Sequence, residues 1–528
     1  MNRRAFIKVL IFISSILSFK IHPSQKKPNT SFNYGVASGD PTNEKIILWT
    51  KISTNSNKNI QVRWELSKDK KFNKVLSSGF FIAKKINNFS VKIDVKVPQI
   101  YRGKDVFYRF NIDDIYSDTG KTKTLPINDP EKYNIGFCSC SNHPAGYFNA
   151  YREMANNNEI DLVLHLGDYI YEYDKDGYAT EDSVKFNRVT EPIHEIVTLN
   201  DYRKRHAQYK SDPDLQLLHR SKPMIAVWDD HEFTNDSWKY GAENHQIEVG
   251  FFLSRKANAI KAYLEWMPMR ENNSKLKIWR KFEVGSLFQL LMIDTRSIYR
   301  DRQLNLDDYF DDDQIDETKY IRDLSIDRKL IGLEQLLWLK NNINNKFKWS
   351  ILGQQVLISN VNLPSIFRKM DKETLPDYLH KYLKLGGLKI PYNTDAWDGY
   401  PKERERIYRI LKKANSVVVL TGDTHNSWLN NLYDKDKNFI GVEIGTPAIS
   451  SPNTIDTFGP LTKSIEEGFI VENDNVKWTE GRHIGYTLLK LNKDKAVVCF
   501  VYVTTVKSNI YKLIDSNKFE IKLNTPII

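Results

Sequence analysis

His165-Leu166-Gly167-Asp168-Tyr169-Ile170-Tyr171-Glu172 follows the apolar run Ile160-Asp161-Leu162-Val163-Leu164, and together they read as a buried parallel strand that stops at a glycine and a carboxylate. In open α/β sheets the ligand crevice lies just beyond the carboxyl ends of the strands, so Asp168 is aimed at a site. An aspartate that merely closes a strand would explain one such stretch equally well. Three more stretches share its shape. Pro223-Met224-Ile225-Ala226-Val227-Trp228-Asp229-Asp230-His231-Glu232 runs from an apolar strand into carboxylates and a histidine. Ser416-Val417-Val418-Val419-Leu420-Thr421-Gly422-Asp423-Thr424-His425 ends in Gly-Asp with a histidine two residues on. Tyr133-Asn134-Ile135-Gly136-Phe137-Cys138-Ser139-Cys140 ends in cysteine. Carboxylates gathered this closely repel and raise one another's pKa unless cations neutralise them, which makes a multi-metal centre the economical explanation.

At the amino terminus, Met1-Asn2-Arg3-Arg4-Ala5-Phe6-Ile7-Lys8 precedes the apolar run Val9 to Phe19. This reads as an export signal, too short for an ordinary transmembrane helix, and its paired arginines resemble a twin-arginine signal. The twin-arginine machinery is then an expected partner, and a periplasmic or extracellular location follows.

The 528 residues suggest roughly two to four domains at about 100–200 residues each, and 41% apolar residues are ample for large cores. Three cysteines cannot make a disulfide framework. Cys138 and Cys140 lie on one face of an extended strand, so Cys140 at the strand end is better read as a metal thiolate, and Cys499 as core. The net charge of +11 is carried by scattered lysines, which argues against a specific nucleic-acid surface while favouring anionic small-molecule substrates by steering.

Residues 31–128 read as an all-β sandwich of the fibronectin or immunoglobulin kind, with Arg63, Glu65, Lys92, Asp94 and Arg109 on outward faces. Residues 1–30 form the export signal, 131–510 a catalytic α/β domain and 511–528 a tail. Within the catalytic part, helical spacing over Tyr147 to Asn156, Asp201 to Leu218, Glu248 to Met267 and Leu333 to Asn344 alternates with strands at Leu287 to Ile293 and Trp349 to Gly353.

The set His165 to Glu172, Trp228 to Glu232, Asp294-Thr295-Arg296, Trp397-Asp398-Gly399-Tyr400 and Gly422 to His425 resembles the alkaline phosphatase D (PhoD-like) branch of the calcineurin-type metallophosphoesterases. Gly35-Val36-Ala37-Ser38-Gly39-Asp40-Pro41 resembles the start of that family's N-terminal domain. The resemblance implies a metallophosphoesterase β-sandwich flanked by helices. It further implies that Asp168 bridges two metals, that Cys140 and Tyr171 hold a ferric ion, and that Asp230 serves the second metal where other metallophosphoesterases use asparagine. Asp423 and His425 would close the cluster, Asn235 is a candidate further ligand, and His231 would face the substrate. Iron (Fe3+) with calcium (Ca2+) is the implied metal pair, with other divalent ions as alternatives. The expected activity is release of phosphate from small-molecule phosphate esters by metal-activated water. A phosphodiesterase or phospholipase D-like enzyme on lipid or cell-wall diesters is the alternative, and a non-catalytic exported metal-binding protein the second. Arg296, with Arg300 and Arg404 behind it, is the candidate for holding substrate phosphate.

Overall fold

A computed structural model describes residues 29–528 apart from 273, 275, 312, 313 and 516, and without the side chain of residue 374. The export signal therefore lies almost wholly outside the described residues. The three apolar runs Tyr133–Cys138, Leu162–His165 and Pro223–Ala226 are buried at every position and pair in parallel, in that order. Strands buried on both faces need no polar alternation, which is why these segments are almost continuously hydrophobic. Parallel pairing puts all three carboxyl ends on one rim. Ile484–Leu491 and then Lys495–Val503 extend the sheet beyond Tyr133–Cys138 by antiparallel pairing.

A second, seven-stranded sheet holds Arg280–Val284, Phe288–Met292, Trp349–Gly353, Val417–Thr421, Phe439–Gly445, Ser427–Tyr433 and Val476–Glu480 in that order. Successive side chains of a strand point to opposite faces. Accordingly Val418 and Leu420 pack into the core shared with Ile135, Leu162 and Leu164 of the first sheet. Val417 and Val419 pack on the other face with Leu336 and Leu339 of helix Gly332–Asn342 and Ile407 and Leu411 of helix Pro401–Leu411. The result is the expected sandwich with helices outside. An isolated parallel bridge between Ser139 and Ala448 joins the loops of the two sheets at the rim where the strands end.

The N-terminal part is all-β, as expected, but it is not a separate layer. Val36–Gly39 pairs in parallel with Pro223–Ala226 and is followed by Lys45–Lys51 and Ser90–Lys96, so half of its sandwich continues the catalytic sheet. The other half is the sheet Gly120–Thr122, Val106–Ile112, Ile60–Ser67, Val75–Ala83, with Ile46, Leu48, Val62, Val91 and Tyr108 between the two. Glu65, expected on an outward face, is buried between Arg63 and Arg109, which pair with it at 2.9 and 2.8 Å.

Two further expectations are corrected. The helical stretch Asp201 to Leu218 is two helices, Leu199–Lys210 and Pro213–Ser221. Pro213 has no N–H to continue the first helix, and Asp212 caps the second by accepting from the amides of Asp214 and Leu215. Residues 511–528 are not a loose tail, because Leu513–Ile514 and Lys518–Lys522 both pair with Lys495–Val503.

Candidate metal centre

Each donor sits on the loop just after one of the four strands, and the loops turn sharply there. Cys140, Asp168, Asp423 and His425 adopt φ of 60°, 53°, 67° and 62°, the left-handed region that non-glycine residues avoid. Such strain costs on the order of 1–3 kcal/mol per residue and persists only where surrounding structure imposes it. Gly167, at φ 113°, permits the turn before Asp168, since a Cβ there would lie 2.4 Å from Asp229 Cβ.

Three overlapping donor groups result: Cys140, Asp168 and His425; Asp168, Asp230 and His231; and Asp229, Asp230 and Asp423, with the donor atoms of each group within 4.8 Å of one another. Asp168 is common to the first two. The Cys140 thiol and the Tyr171 hydroxyl both donate to Asp168 Oδ2 at 3.3 Å, Tyr171 Oη is 3.4 Å from His425 Nε2, and Ser451 donates to Tyr171 Oη at 2.8 Å. Asp168 Oδ1, by contrast, is buried without a hydrogen-bond partner. A buried carboxylate oxygen left unpaired is costly, and a cation is the partner that resolves it. Of the other cysteines, Cys138 turns its thiol to the Leu164 carbonyl at 3.6 Å and Cys499 packs in the core.

The loops are held by two buried glutamates. Glu232 accepts from the amides of Asp168, Tyr169 and Asp229 at 3.0, 2.7 and 2.8 Å, tying the two aspartate loops together. Glu172 accepts from His231 Nδ1 at 2.8 Å, the Thr234 hydroxyl at 3.2 Å and the Asn235 amide at 2.6 Å. The Tyr171 ring stacks on the His231 imidazole with centroids 4.1 Å apart. His425 Nδ1 meets the Pro452 carbonyl at 2.7 Å, leaving Nε2 toward the cluster.

The electrostatics are those of several carboxyl groups buried close together. Burial, partly offset by His231 and reinforced by Asp230 and Asp229, pushes the Asp168 carboxyl well above the usual range. Burial, reinforced by Asp168, does the same to the Cys140 thiol. Burial, partly offset by Arg296 and reinforced by Asp395 and Asp230, pushes Asp423 up to about 7. Asp230 goes the other way, since Arg296, His231 and the Asp236 amide outweigh its burial. Burial alone would depress His231, but Glu172, Asp230 and Asp168 hold its imidazolium well above the ordinary histidine value.

Strands of two sheets thus bring a thiol, a phenol, imidazole and several carboxyl groups to one rim. A family model described as PhoD-like phosphatase matches residues 135–500, and one described as PhoD-like phosphatase, N-terminal domain, matches residues 18–126. The chain belongs to the PhoD-like phosphatase family. Alkaline phosphatase D of Bacillus subtilis (strain 168) is 34% identical over 480 residues, covering 87% of this chain and 76% of that protein. The solved structure of PhoD matches with a TM-score of 0.78 at 31% identity, over 93% of this chain and 90% of that one. Membership makes the protein a phosphoric ester hydrolase and sets aside the non-catalytic reading.

Against the family pattern expected from sequence, the structure brings Cys140, Asp168, Tyr171, Asp230, His231, Asp423 and His425 together. Asn235 donates its side-chain Nδ2 to Glu243 at 2.7 Å and is tied to the histidine loop through Glu172. Arg296, the candidate for substrate phosphate, lies beneath the cluster. Its side chain has 0% exposure and is enclosed by Asp229, by Asp395 at 2.5 Å and by Asp423 at 3.5 Å, where it balances carboxylates of the cluster. Arg300 is likewise buried on Asp395, and the half-buried Arg404 pairs with Asp398. Asp229, Asp395, Glu172 and Glu232 complete the site without having been singled out. Asp229 and the glutamates stand inside the motifs already quoted, whereas Asp395 follows no strand and carried no signal.

Proposed function

We propose that the protein is an exported, metal-dependent phosphohydrolase that releases phosphate from small-molecule phosphate esters outside the cytoplasm. The observation that carries metal dependence is the buried, unpaired Asp168 Oδ1 at the junction of two donor groups. The donor set fits the ions that the family resemblance implies. Cys140, Tyr171 and Asp168, anionic once deprotonated, with His425 supply donors that suit Fe3+. Asp168, Asp230, Asp423 and the adjacent Asp229 supply the oxygen donors suited to Ca2+. When bound, such ions neutralise the phosphoryl oxygens and activate water for in-line attack.

The chain's own residues prepare the rest. Glu172 engages His231 Nδ1, which leaves Nε2 as the nitrogen that meets the substrate. Oriented by Glu172, His231 is the group placed to donate a proton from Nε2 to the leaving oxygen. The stacked Tyr171 ring holds the imidazole plane, and Glu232 keeps the Asp168 and Asp229 loops in register as charge changes on the substrate.

Metal analysis of the mature protein, with hydrolysis of a chromogenic phosphomonoester and phosphodiester with and without calcium, tests this reading. Iron in the protein and calcium-dependent turnover are expected; a metal-replete protein without turnover on either ester overturns it. Export is tested by Arg3→Lys with Arg4→Lys, which is expected to retain the protein in the cytoplasm. Unchanged export of the double variant removes the twin-arginine route.

A further inference from the structure

The loop that follows Phe439–Gly445 is tied along its length to the loop that carries Cys140. Ala448 bridges Ser139, the Ile449 amide donates to the Ser139 carbonyl at 3.0 Å, and the amides of Ser450 and Ser451 both donate to the Cys140 carbonyl at 3.3 Å. Two residues of the same segment reach two further donors of the centre. The Pro452 carbonyl meets His425 Nδ1 at 2.7 Å, and Ser451 Oγ lies 2.8 Å from Tyr171 Oη. Ser451 is fully buried, so no water competes for its hydroxyl.

The direction of the Ser451 bond follows from counting protons. A serine hydroxyl has one to give, and two acceptors are in reach, Tyr171 Oη at 2.8 Å and the Cys140 carbonyl at 3.0 Å. The two lone pairs of the carbonyl already meet two amides. Tyr171 Oη, which gives its own proton to Asp168 Oδ2 at 3.3 Å, has lone pairs to fill, so the hydroxyl proton goes there. Stacking on His231 at 4.1 Å and on Tyr178 at 6.3 Å sets the plane of the Tyr171 ring, but it leaves the electron density on the oxygen unchanged. A hydrogen bond to that oxygen does change it, and such bonds are roughly twice as strong when the acceptor is an anion.

We propose that Ser451 is a positioning residue for the Tyr171 donor. Its hydroxyl fixes the phenol oxygen at the cluster and, with an ion bound there, draws electron density from that oxygen and so tunes its bond to the ion. The proposal rests on the metal-dependent reading above and concerns one donor of that centre.

The test loads Fe3+ into the wild type, Ser451→Ala, Ser451→Gly, Ser451→Thr and Tyr171→Phe. It reads the visible spectrum and the Fe3+ affinity in competition with a chelator. A phenolate on ferric iron gives a phenolate-to-metal charge-transfer band, which Tyr171→Phe is expected to abolish. Loss of the hydrogen bond raises the energy of the phenolate electrons, so Ser451→Ala and Ser451→Gly are expected to move the band to longer wavelength. Ser451→Thr keeps the hydroxyl and is expected to leave the band near its wild-type position. Fe3+ affinity of the Ala variant is expected to fall about tenfold, the scale of a lost partner of a metal ligand. Thermal unfolding of the metal-free proteins checks the fold, and Ser451→Ala is expected to stay near wild type because the Cys140 carbonyl keeps its two amide donors. A Tyr171-dependent band that stays in place without the hydroxyl, or that moves equally in the Thr variant, overturns the role of Ser451 and leaves the metal reading standing. A ferric-loaded wild type with no such band, or a band that survives Tyr171→Phe, overturns Tyr171 as a ligand and the proposal with it.

Discussion

Glu172 Oε2 lies 2.8 Å from His231 Nδ1, and the carboxylate has no side-chain exposure at all. A buried carboxylate on one imidazole nitrogen fixes the tautomer and orients the other nitrogen, which makes the histidine a directed proton donor. Glu172→Gln keeps the shape and removes the charge. Its effect should depend on the leaving group. Loss of about 10²-fold in kcat/KM is expected for an alkyl ester, whose alkoxide needs a proton, and much less for a p-nitrophenyl ester, whose phenolate leaves unaided. Equal losses on both esters would assign Glu172 a purely structural role.

Asp168 makes opposite demands on the metal-free and metal-loaded protein. Its carboxyl is buried among Asp230 and Asp229 and pushed well above the ordinary range, so the metal-free fold is burdened by it. Asp168→Asn removes that burden together with the carboxylate proposed to serve both ions. The metal-free variant is expected to be at least as stable as metal-free wild type at pH 7. Thermal unfolding with and without iron and calcium should then show stabilisation of the wild type and little or none of the variant, because a ligand stabilises only the state that binds it. An equal rise in both would remove Asp168 from the ligand set.

What the sequence disclosed about the site follows from where each residue stands. Cys140, Asp168, Asp230, Asp423 and His425 each close an apolar strand, and parallel pairing turns that position along the chain into a position in space. Burial at the same rim is not written in the same way. Arg296 stands in an Asp-Thr-Arg stretch after Phe288–Met292 just as a substrate-binding arginine would, yet the sheet packs it beneath the cluster. Asp395, which holds both Arg296 and Arg300, follows no strand and was invisible to the pattern. The N-terminal strands were legible as strands, but an alternating pattern does not say which neighbour they pair with, so the joining of Val36–Gly39 to Pro223–Ala226 emerged only from the structure.

The enclosure of Arg296 makes a prediction that separates the two roles offered for it. Removing one partner of a buried ion-pair network leaves uncompensated charge, here Asp229 and Asp395, at a cost of about 3–5 kcal/mol. Arg296→Met is expected to lose stability of that order in chemical denaturation. A variant with wild-type stability and a raised KM for phosphate esters would instead return Arg296 to the substrate.

Far from the centre, Lys51 is only 5% exposed and its ammonium lies 5.0 Å over the Trp266 ring while donating to the Asn88 carbonyl. Burial, partly offset by Glu265, pushes its pKa down to about 8 from 10.5. Between those two values the unfolded chain binds the proton that the folded chain has released, so folding stability attributable to Lys51 rises with pH across that window. Below about pH 8 both states are protonated and the full penalty is constant; 2.5 pH units correspond to about 3 kcal/mol. Lys51→Met removes the titration along with the hydrogen bond and the cation–π contact, so the absolute change in stability mixes several effects, whereas its pH dependence does not. Measured by denaturation at pH 7, 8.5 and 10, the stability of the variant relative to wild type is expected to be greatest at pH 7 and to decline steadily toward pH 10. A difference that stays constant over that range would mean that Lys51 keeps its ordinary pKa in the fold.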